Sequence, residues 1–186
     1  MSGSFVCVQV LVTRPLHLNV SDVARRPGAR RALSVRAVVT GLEGPSARVR
    51  GPVDVEGSIE GIREGVIVHA DVRAEVTAEC SRCLAPVTIP IDVEVREVFE
   101  DRETLDAETE GEIYPLDRDE LDLEPMVRDV VRPELPVVPL CRPDCAGLCP
   151  VCGENRNETD CDCSVESADP RWAGLGELKF SNPSPS

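Results

Sequence analysis

Residues 66–95 read VIVHADVRAEVTAECSRCLAPVTIPIDVEV, and the reading of this stretch decides the fold. Up to Ala78 an apolar residue falls on every second position: Val66, Val68, Ala70, Val72, Ala74, Val76 and Ala78. Ile67, His69, Asp71, Arg73, Glu75, Thr77 and Glu79 occupy the positions between. Successive side chains of a strand point to opposite faces of a sheet, so this pattern predicts a half-buried β-strand. Val87, Ile89, Ile91, Val93 and Val95 alternate in the same way with Thr88, Pro90, Asp92 and Glu94. Two such strands joined by a short link predict an antiparallel hairpin, with Cys80 and Cys83 at its tip. Pro90 has no N–H to give to a ladder, which predicts an unpaired edge at that point of the second strand.

Working outward, Leu33–Val39 and Val53–Ile59 are β-prone, and so is Phe5–Val12 near the start. On the other side, Leu123, Met126, Val127, Val130 and Val131 follow helical spacing and form one apolar stripe. Asp122 is placed to cap that helix, with Glu124 at its positive end and Pro125 in the tolerated first turn. Pro133 and Pro136 end it near Arg132. The expected fold class is α+β. It consists of a twisted antiparallel β-sheet, partly barrel-like, with one covering helix and a cysteine-rich zinc-binding C-terminal segment. The expected division is a β-rich domain over residues 1–135 and a cysteine-rich extension over 136–180. Residues 181–186 are expected to form a disordered tail. Asp169-Pro170-Arg171-Trp172 opens a short last helix in that extension, docked by Trp172, Leu175 and Leu178.

The extension begins with LPVVPLCRPDCAGLCPVCG, Leu135–Gly153, which holds Cys141, Cys145, Cys149 and Cys152. Cys161 and Cys163 follow closely. A Cys-x-x-Cys turn can place two thiolates on one tetrahedral Zn²⁺ at about 2.3 Å each. Its backbone N–H groups aim at the first sulfur and favour the thiolate. Distant Cys-x-x-Cys turns combined with a dense cysteine tail indicate metal binding. Eight clustered cysteines supply two four-thiolate sites and leave Cys7, the ninth, as a small packing residue. Two partitions are open. The preferred one joins Cys80 and Cys83 with Cys141 and Cys145, and Cys149 and Cys152 with Cys161 and Cys163. The other joins the two Cys-x-x-Cys turns, Cys80/Cys83 and Cys149/Cys152, in one zinc ribbon. Arg82, Arg142 and Arg156 would offset part of the negative charge of such sites.

A net charge of −14 argues against a chain that coats nucleic acid by bulk electrostatics. The charge is uneven. Between Arg14 and Arg50 there are eight arginines against only Asp22 and Glu43. Arg25, Arg26, Arg30 and Arg31 lie around Pro27-Gly28, which predicts a loop; these four are the candidate RNA contacts. From Glu97 to Glu124 thirteen acids face two arginines, which predicts a mobile acidic connection. His17 has no acidic or cysteine neighbour in the sequence and is expected at the surface, and His69, on the polar face of its strand, is expected to be solvated and not a ligand. There is no basic leader with a cleavage site, nor an apolar run of the roughly 20 residues that span a membrane. The expected compartment is the cytoplasm, where thiols stay reduced.

Four segments together resemble the YceD family, the large ribosomal RNA subunit accumulation proteins. They are CSRCLAPV (80–87), LDLEPMVRDVVRPELPVVPLC (121–141), CAGLCPVCGENRNETDC (145–161) and DPRWAGLGELK (169–179). The resemblance implies a ribosome-biogenesis factor supporting 23S rRNA accumulation or processing and large-subunit assembly. Its partners would be a 23S rRNA precursor, a large-subunit ribosomal protein, or both, with no membrane and no small-molecule substrate. The family has no agreed catalytic residues. An enzyme reading is further disfavoured because catalytic zinc keeps an open position beside His or carboxylate ligands, whereas this ligand set is cysteine only. An acidic protein-binding module without direct RNA contact is the alternative.

Overall fold

The computed structural model describes residues 15–104, 113–164 and 174. In chain order it contains β1 (His17–Asn19), β2 (Arg30–Ala37), β3 (Ala47–Val49), β4 (Val53–Ile62), β5 (Gly65–Glu79), β6 (Pro86–Asp101), β7 (Tyr114–Leu116), β8 (Glu120–Asp122) and one helix, α1 (Glu124–Val131). The expected strand at Phe5–Val12, Cys7, the last helix and the tail lie outside the described residues.

The hairpin of β5 and β6 is the spine. Its antiparallel ladder runs from Gly65 opposite Glu100 to Glu79 opposite Pro86. The predicted alternation holds along it. Val66, Val68, Ala70, Val72, Val76 and Ala78 are buried, and Ile91, Val95 and Phe99 continue the same face on β6. Each fully buried side chain of this size contributes about 1.5–3 kcal/mol relative to exposure. The main sheet has the order β2-β4-β5-β6-β7, and β3 pairs with β5 beyond the end of β4. β6 meets β7 only at Phe99–Asp101, so its edge at Pro90 is unpaired among the described residues, as the missing N–H requires.

Several expectations need correction. The sheet does not close: β2 and β7 stand at opposite ends, so the architecture is an open sheet and not barrel-like. The β6–β7 pairing is parallel, within an otherwise antiparallel sheet. Much of the acidic stretch is structured. β6 continues to Asp101, and β7 and β8 follow inside it; only residues 105–112 of that stretch lie outside the described residues. A strand needs only one apolar face, which a high average charge conceals: Phe99, Leu116 and Leu121 are buried among the acids. Arg30 and Arg31 belong to β2, not to the loop before it.

β1 and β8 form a separate two-stranded ribbon, with His17 opposite Asp122. His17 is therefore not without an acidic neighbour: its Nε2 lies 3.4 Å from Asp122. The ribbon, the turns around Val20 and Val23, and α1 cover the apolar face of the sheet. Leu123, Met126, Val127 and Val131 point inward, whereas Val130 is only half-buried. Asp122 accepts a 2.9 Å bond from the Glu124 N–H, one residue earlier than a standard cap, while Leu123 occupies the N-cap itself. Phe99 stacks on Tyr114 at 5.0 Å, and the Tyr114 hydroxyl donates to Asp129 on α1 at 3.0 Å. Burial, with that acceptor, pushes the Tyr114 phenol well up.

Candidate metal centres

The cysteines form a second, smaller buried cluster at the far end of the hairpin. Cys80, Cys83 and Cys145 pack there with Ala85, Val87, Leu140 and Leu148. The structure assembles eight sulfurs into two groups, Cys80/Cys83/Cys141/Cys145 and Cys149/Cys152/Cys161/Cys163, with ligand atoms within 4.8 Å of one another in each. These are the groups of the preferred partition. The two Cys-x-x-Cys turns do not share a group.

The spacing fits one tetrahedral ion per group. Four sulfurs at about 2.3 Å from a central Zn²⁺ stand about 3.8 Å apart. In the inner group Cys80 Sγ lies 3.8 Å from Cys145 Sγ, and Cys83 Sγ lies 3.6 Å from Cys141 Sγ. A cubane iron–sulfur cluster would set its four cysteines on separate irons and hold them farther apart. Both groups could hold a metal ion, and their all-thiol chemistry suits Zn²⁺ or a single iron.

Both groups grow from the same turn. The Cys80 N–H donates to Ala85 O at 2.8 Å and the Leu84 N–H to Cys80 O at 2.9 Å. The Cys149 N–H donates to Glu154 O at 2.8 Å and the Gly153 N–H to Cys149 O at 2.9 Å. The fifth residue of each turn has positive φ, 60° at Leu84 and 79° at Gly153. Glycine accepts that conformation freely, whereas leucine is strained there by about 1–3 kcal/mol. Leu84 is also 60% exposed.

The turns prepare the first sulfur of each pair. Backbone N–H groups, led by that of Cys83, pull the Cys80 thiol down to about 6. Those of Cys152 and Val151 do the same for Cys149, also to about 6. Two partners move the opposite way. Desolvation of its sulfur, with the neighbouring thiols, pushes Cys141 up to about 12. Contact with Cys152 first, then desolvation of the sulfur, pushes Cys163 up to about 12.

The surroundings of the two groups differ. In the inner one Cys80, Cys83 and Cys145 are buried and only Cys141 is exposed. Gly147 (φ 75°) crosses against the first turn, where an added Cβ would sit 3.1 Å from Arg82 O. The Leu148 N–H donates to that oxygen at 3.0 Å, and the Arg82 guanidinium returns a 2.9 Å bond to Cys145 O. In the outer group Cys149 is buried, Cys161 half-buried, and Cys152 and Cys163 are exposed. Asn157 was not singled out by the sequence, yet its Nδ2 lies 3.3 Å from Cys145 Sγ. Arg142 bonds to Asn157 at 2.8 Å, and the Arg156 N–H to Gly147 O at 2.9 Å.

The four candidate RNA-contacting arginines lie far along the chain from these centres. Arg25 donates to Asp101, to Arg118 O and to Asp119, which ties the first turn to the end of β6 and to the β7–β8 turn. Arg30 pairs with Glu60 and Arg31 with Asp22. Arg26 bonds the Asp22 carbonyl at 3.2 Å and has no carboxylate partner among the described residues. No helix is long and apolar enough to cross a membrane among the described residues.

Among the described residues, the fold and site define a mainly antiparallel β-sheet protein with one helix and two four-cysteine clusters at one end of its central hairpin. The sequence profile described as large ribosomal RNA subunit accumulation protein YceD matches residues 68–179, and the chain belongs to the YceD family. An uncharacterized protein of Mycobacterium tuberculosis is 36% identical over 172 residues, covering 90% of this chain and 83% of its own. One of Mycobacterium leprae is 30% identical over 181 residues, covering 93% and 82%. The chloroplastic large ribosomal RNA subunit accumulation protein YCED homolog 1 of Arabidopsis thaliana is 35% identical over 66 residues, 36% of this chain and 21% of that one. No solved structure gives a significant match.

Proposed function

We propose that this chain is a non-catalytic ribosome-biogenesis factor of the cytoplasm, supporting 23S rRNA accumulation and large-subunit assembly, with two structural Zn²⁺ ions. The family match over residues 68–179 carries the reading, because it spans the hairpin tip, α1 and both cysteine groups. The ligand set adds to it. Four thiols complete a tetrahedral shell and leave no position for substrate, as in structural zinc sites. Depleting the protein should lower 23S rRNA relative to 16S rRNA and leave immature large-subunit particles. An unchanged rRNA ratio and particle profile would overturn the reading.

One observation favours a second reading of the contact. The positive charges of Arg25, Arg30 and Arg31 are already matched by carboxylates within the fold. On the open face of the sheet Glu56, Asp71 and Glu94 stand side by side in register, and Arg73, shared among Glu56, Asp71 and Asp92, offsets only part of that charge. A basic ribosomal protein suits that surface better than phosphate does. Recovery of ribosomal particles by the tagged chain should then survive RNase as one bound protein. Recovery lost with RNase, and weakened by Arg26→Glu, would place the contact on RNA.

A further inference from the structure

We propose that the outer cysteine cluster controls how tightly the inner one holds its metal, through the side chain of Asn157. This rests on the reading of both clusters as zinc sites. Asn157 lies in the loop between Cys152 and Cys161, two ligands of the outer cluster. Its side chain nevertheless serves the inner one. Nδ2 donates to Cys145 Sγ at 3.3 Å and, with its other hydrogen, to Asn155 Oδ1 at 2.7 Å, while Oδ1 accepts the Ala146 N–H at 2.8 Å and Arg142 at 2.8 Å. Cys145 is 2% exposed, so its sulfur has little access to water, and the Asn157 amide with the Gly147 N–H are its polar neighbours.

A donor to a metal-bound thiolate draws charge off the sulfur and relieves the excess charge of a four-thiolate site in a low-dielectric setting. Such outer-shell bonds fix ligand orientation and are worth about 10–100-fold in metal affinity. Asn157 can make the bond only while its loop is held. Asn155 organises the loop from within, accepting the Asn157 N–H at 3.1 Å and donating to Glu158 at 2.7 Å. On the inner-cluster side the loop is anchored by the Arg156 N–H to Gly147 O. On the other side its anchor is the outer metal, which closes the chain from Cys149 to Cys163. With that metal gone, the loop keeps its inner-side contacts, Arg156 to Gly147, Asn155 to Leu148 and Glu154 to Cys149. Placing Asn157 then costs the entropy of ordering the half that runs on to Cys161. The inner ion loses the donor, so the clusters share no ligand and still bind cooperatively. Linkage makes the effect reciprocal, and the inner metal strengthens the outer site by the same factor.

The test uses the full chain loaded with zinc, with native mass spectrometry for the metal count and a competing chromophoric chelator for inner-site affinity. Cys161→Ser with Cys163→Ser should retain one zinc and hold it about tenfold more weakly than the inner site of the wild type. Asn157→Asp keeps the acceptor for Ala146 and Arg142 but loses the N–H to sulfur. It should retain two zincs and show an inner-site loss at least as large, and Asn157→Ala should match it with unchanged far-UV circular dichroism. Combining Asn157→Ala with the two serine substitutions should add nothing to either. An Asn157→Asp chain with two zincs and wild-type affinity, or losses that multiply in the combined variant, would overturn the coupling alone. A wild-type chain that binds no zinc would overturn the zinc reading, and the coupling with it.

Discussion

The two cysteine clusters use the same turn and the same kind of ligand, four thiols within 4.8 Å of one another, but they are built into the molecule differently. The inner one joins Cys80 and Cys83, at the tip of a hairpin anchored in the main core, to residues about sixty positions later. The outer one draws all four ligands from Cys149 to Cys163. A metal in the first closes a long loop and seals a buried patch; a metal in the second orders a local, solvent-facing loop. Identical coordination chemistry can thus carry different amounts of folding free energy, according to the sequence separation and burial of the ligands.

The sharpest way to break this comparison is to remove one ligand pair at a time. Cys80→Ser with Cys145→Ser should lose the inner metal, release the tail from the hairpin and cost about 5 kcal/mol or more. For a chain of this size the melting temperature should fall by about 10 °C or more in a thermal scan. Cys161→Ser with Cys163→Ser should move the melting of the sheet by only about 2 °C. Equal shifts in the two variants would show that the sites contribute alike.

A second test strikes the core and leaves both clusters chemically intact. Val127→Asp puts an unpaired charge into the packed face of α1 and should destabilise the sheet by about 4 kcal/mol. Val130→Asp, at a half-buried position, should cost clearly less. Under partial denaturation the Val127→Asp chain should release inner zinc first, because Cys80 and Cys83 depend on the hairpin. Metal content and circular dichroism followed together would decide this, and simultaneous release would make the outer site dependent on the sheet as well.

Acid should separate the sites by access. The folded values of Cys80 and Cys149, about 6, lie below the ordinary thiol value of 9.0. Their contribution is therefore present above pH 9 and is lost as the pH falls through about 6. Cys141 and Cys163, raised to about 12, must give up their protons to bind a metal, so affinity rises with pH through the neutral range. Zinc should be retained at about pH 7.5 and released between about pH 6 and 5, the outer ion leading because Cys152 and Cys163 meet solvent. Release of the inner ion first, in a stopped-flow chelator assay, would contradict this order.

The smallest effects concern the fifth residue of each turn. Gly153→Ala should weaken the outer site by about 1 kcal/mol, since φ is positive but the space is open. Leu84→Gly relieves the same backbone strain at the inner site and should change stability by no more than about 0.5 kcal/mol, in the favourable direction. Differential scanning fluorimetry of the zinc-loaded variants resolves both.

The hairpin was legible in the sequence because its alternation runs for more than a dozen residues without interruption. The α1 stripe was legible for the same reason at a different period. The cysteine grouping was legible only in part: chain geometry favours joining the hairpin tip to Cys141 and Cys145, which leave the end of the helix, whereas the more familiar spacing joins the two Cys-x-x-Cys turns. Short strands were not legible. β1, β7 and β8 are three residues each, too brief to show a period, and two of them are hidden in acidic sequence. The pairing of Arg25 with Asp101 and Asp119 depends on contacts between distant parts of the chain that no local pattern announces. Asn157 looked like any polar loop residue, and only the approach of two clusters gives it a partner.

The β1–β8 ribbon sets a clock on synthesis. Asn19 and Glu120, paired across it, are 101 positions apart. At about 5–20 residues per second, the first strand must wait about 5–20 s for its partner to be made. During that interval Leu16, Val20 and Val23, all buried in the finished fold, have no sheet ribbon to pack beneath and stay open to chaperones. The inner cluster waits longer still, because Cys145 is made after β8, so this protein gathers those four thiols only when almost all of its described chain has left the ribosome that made it.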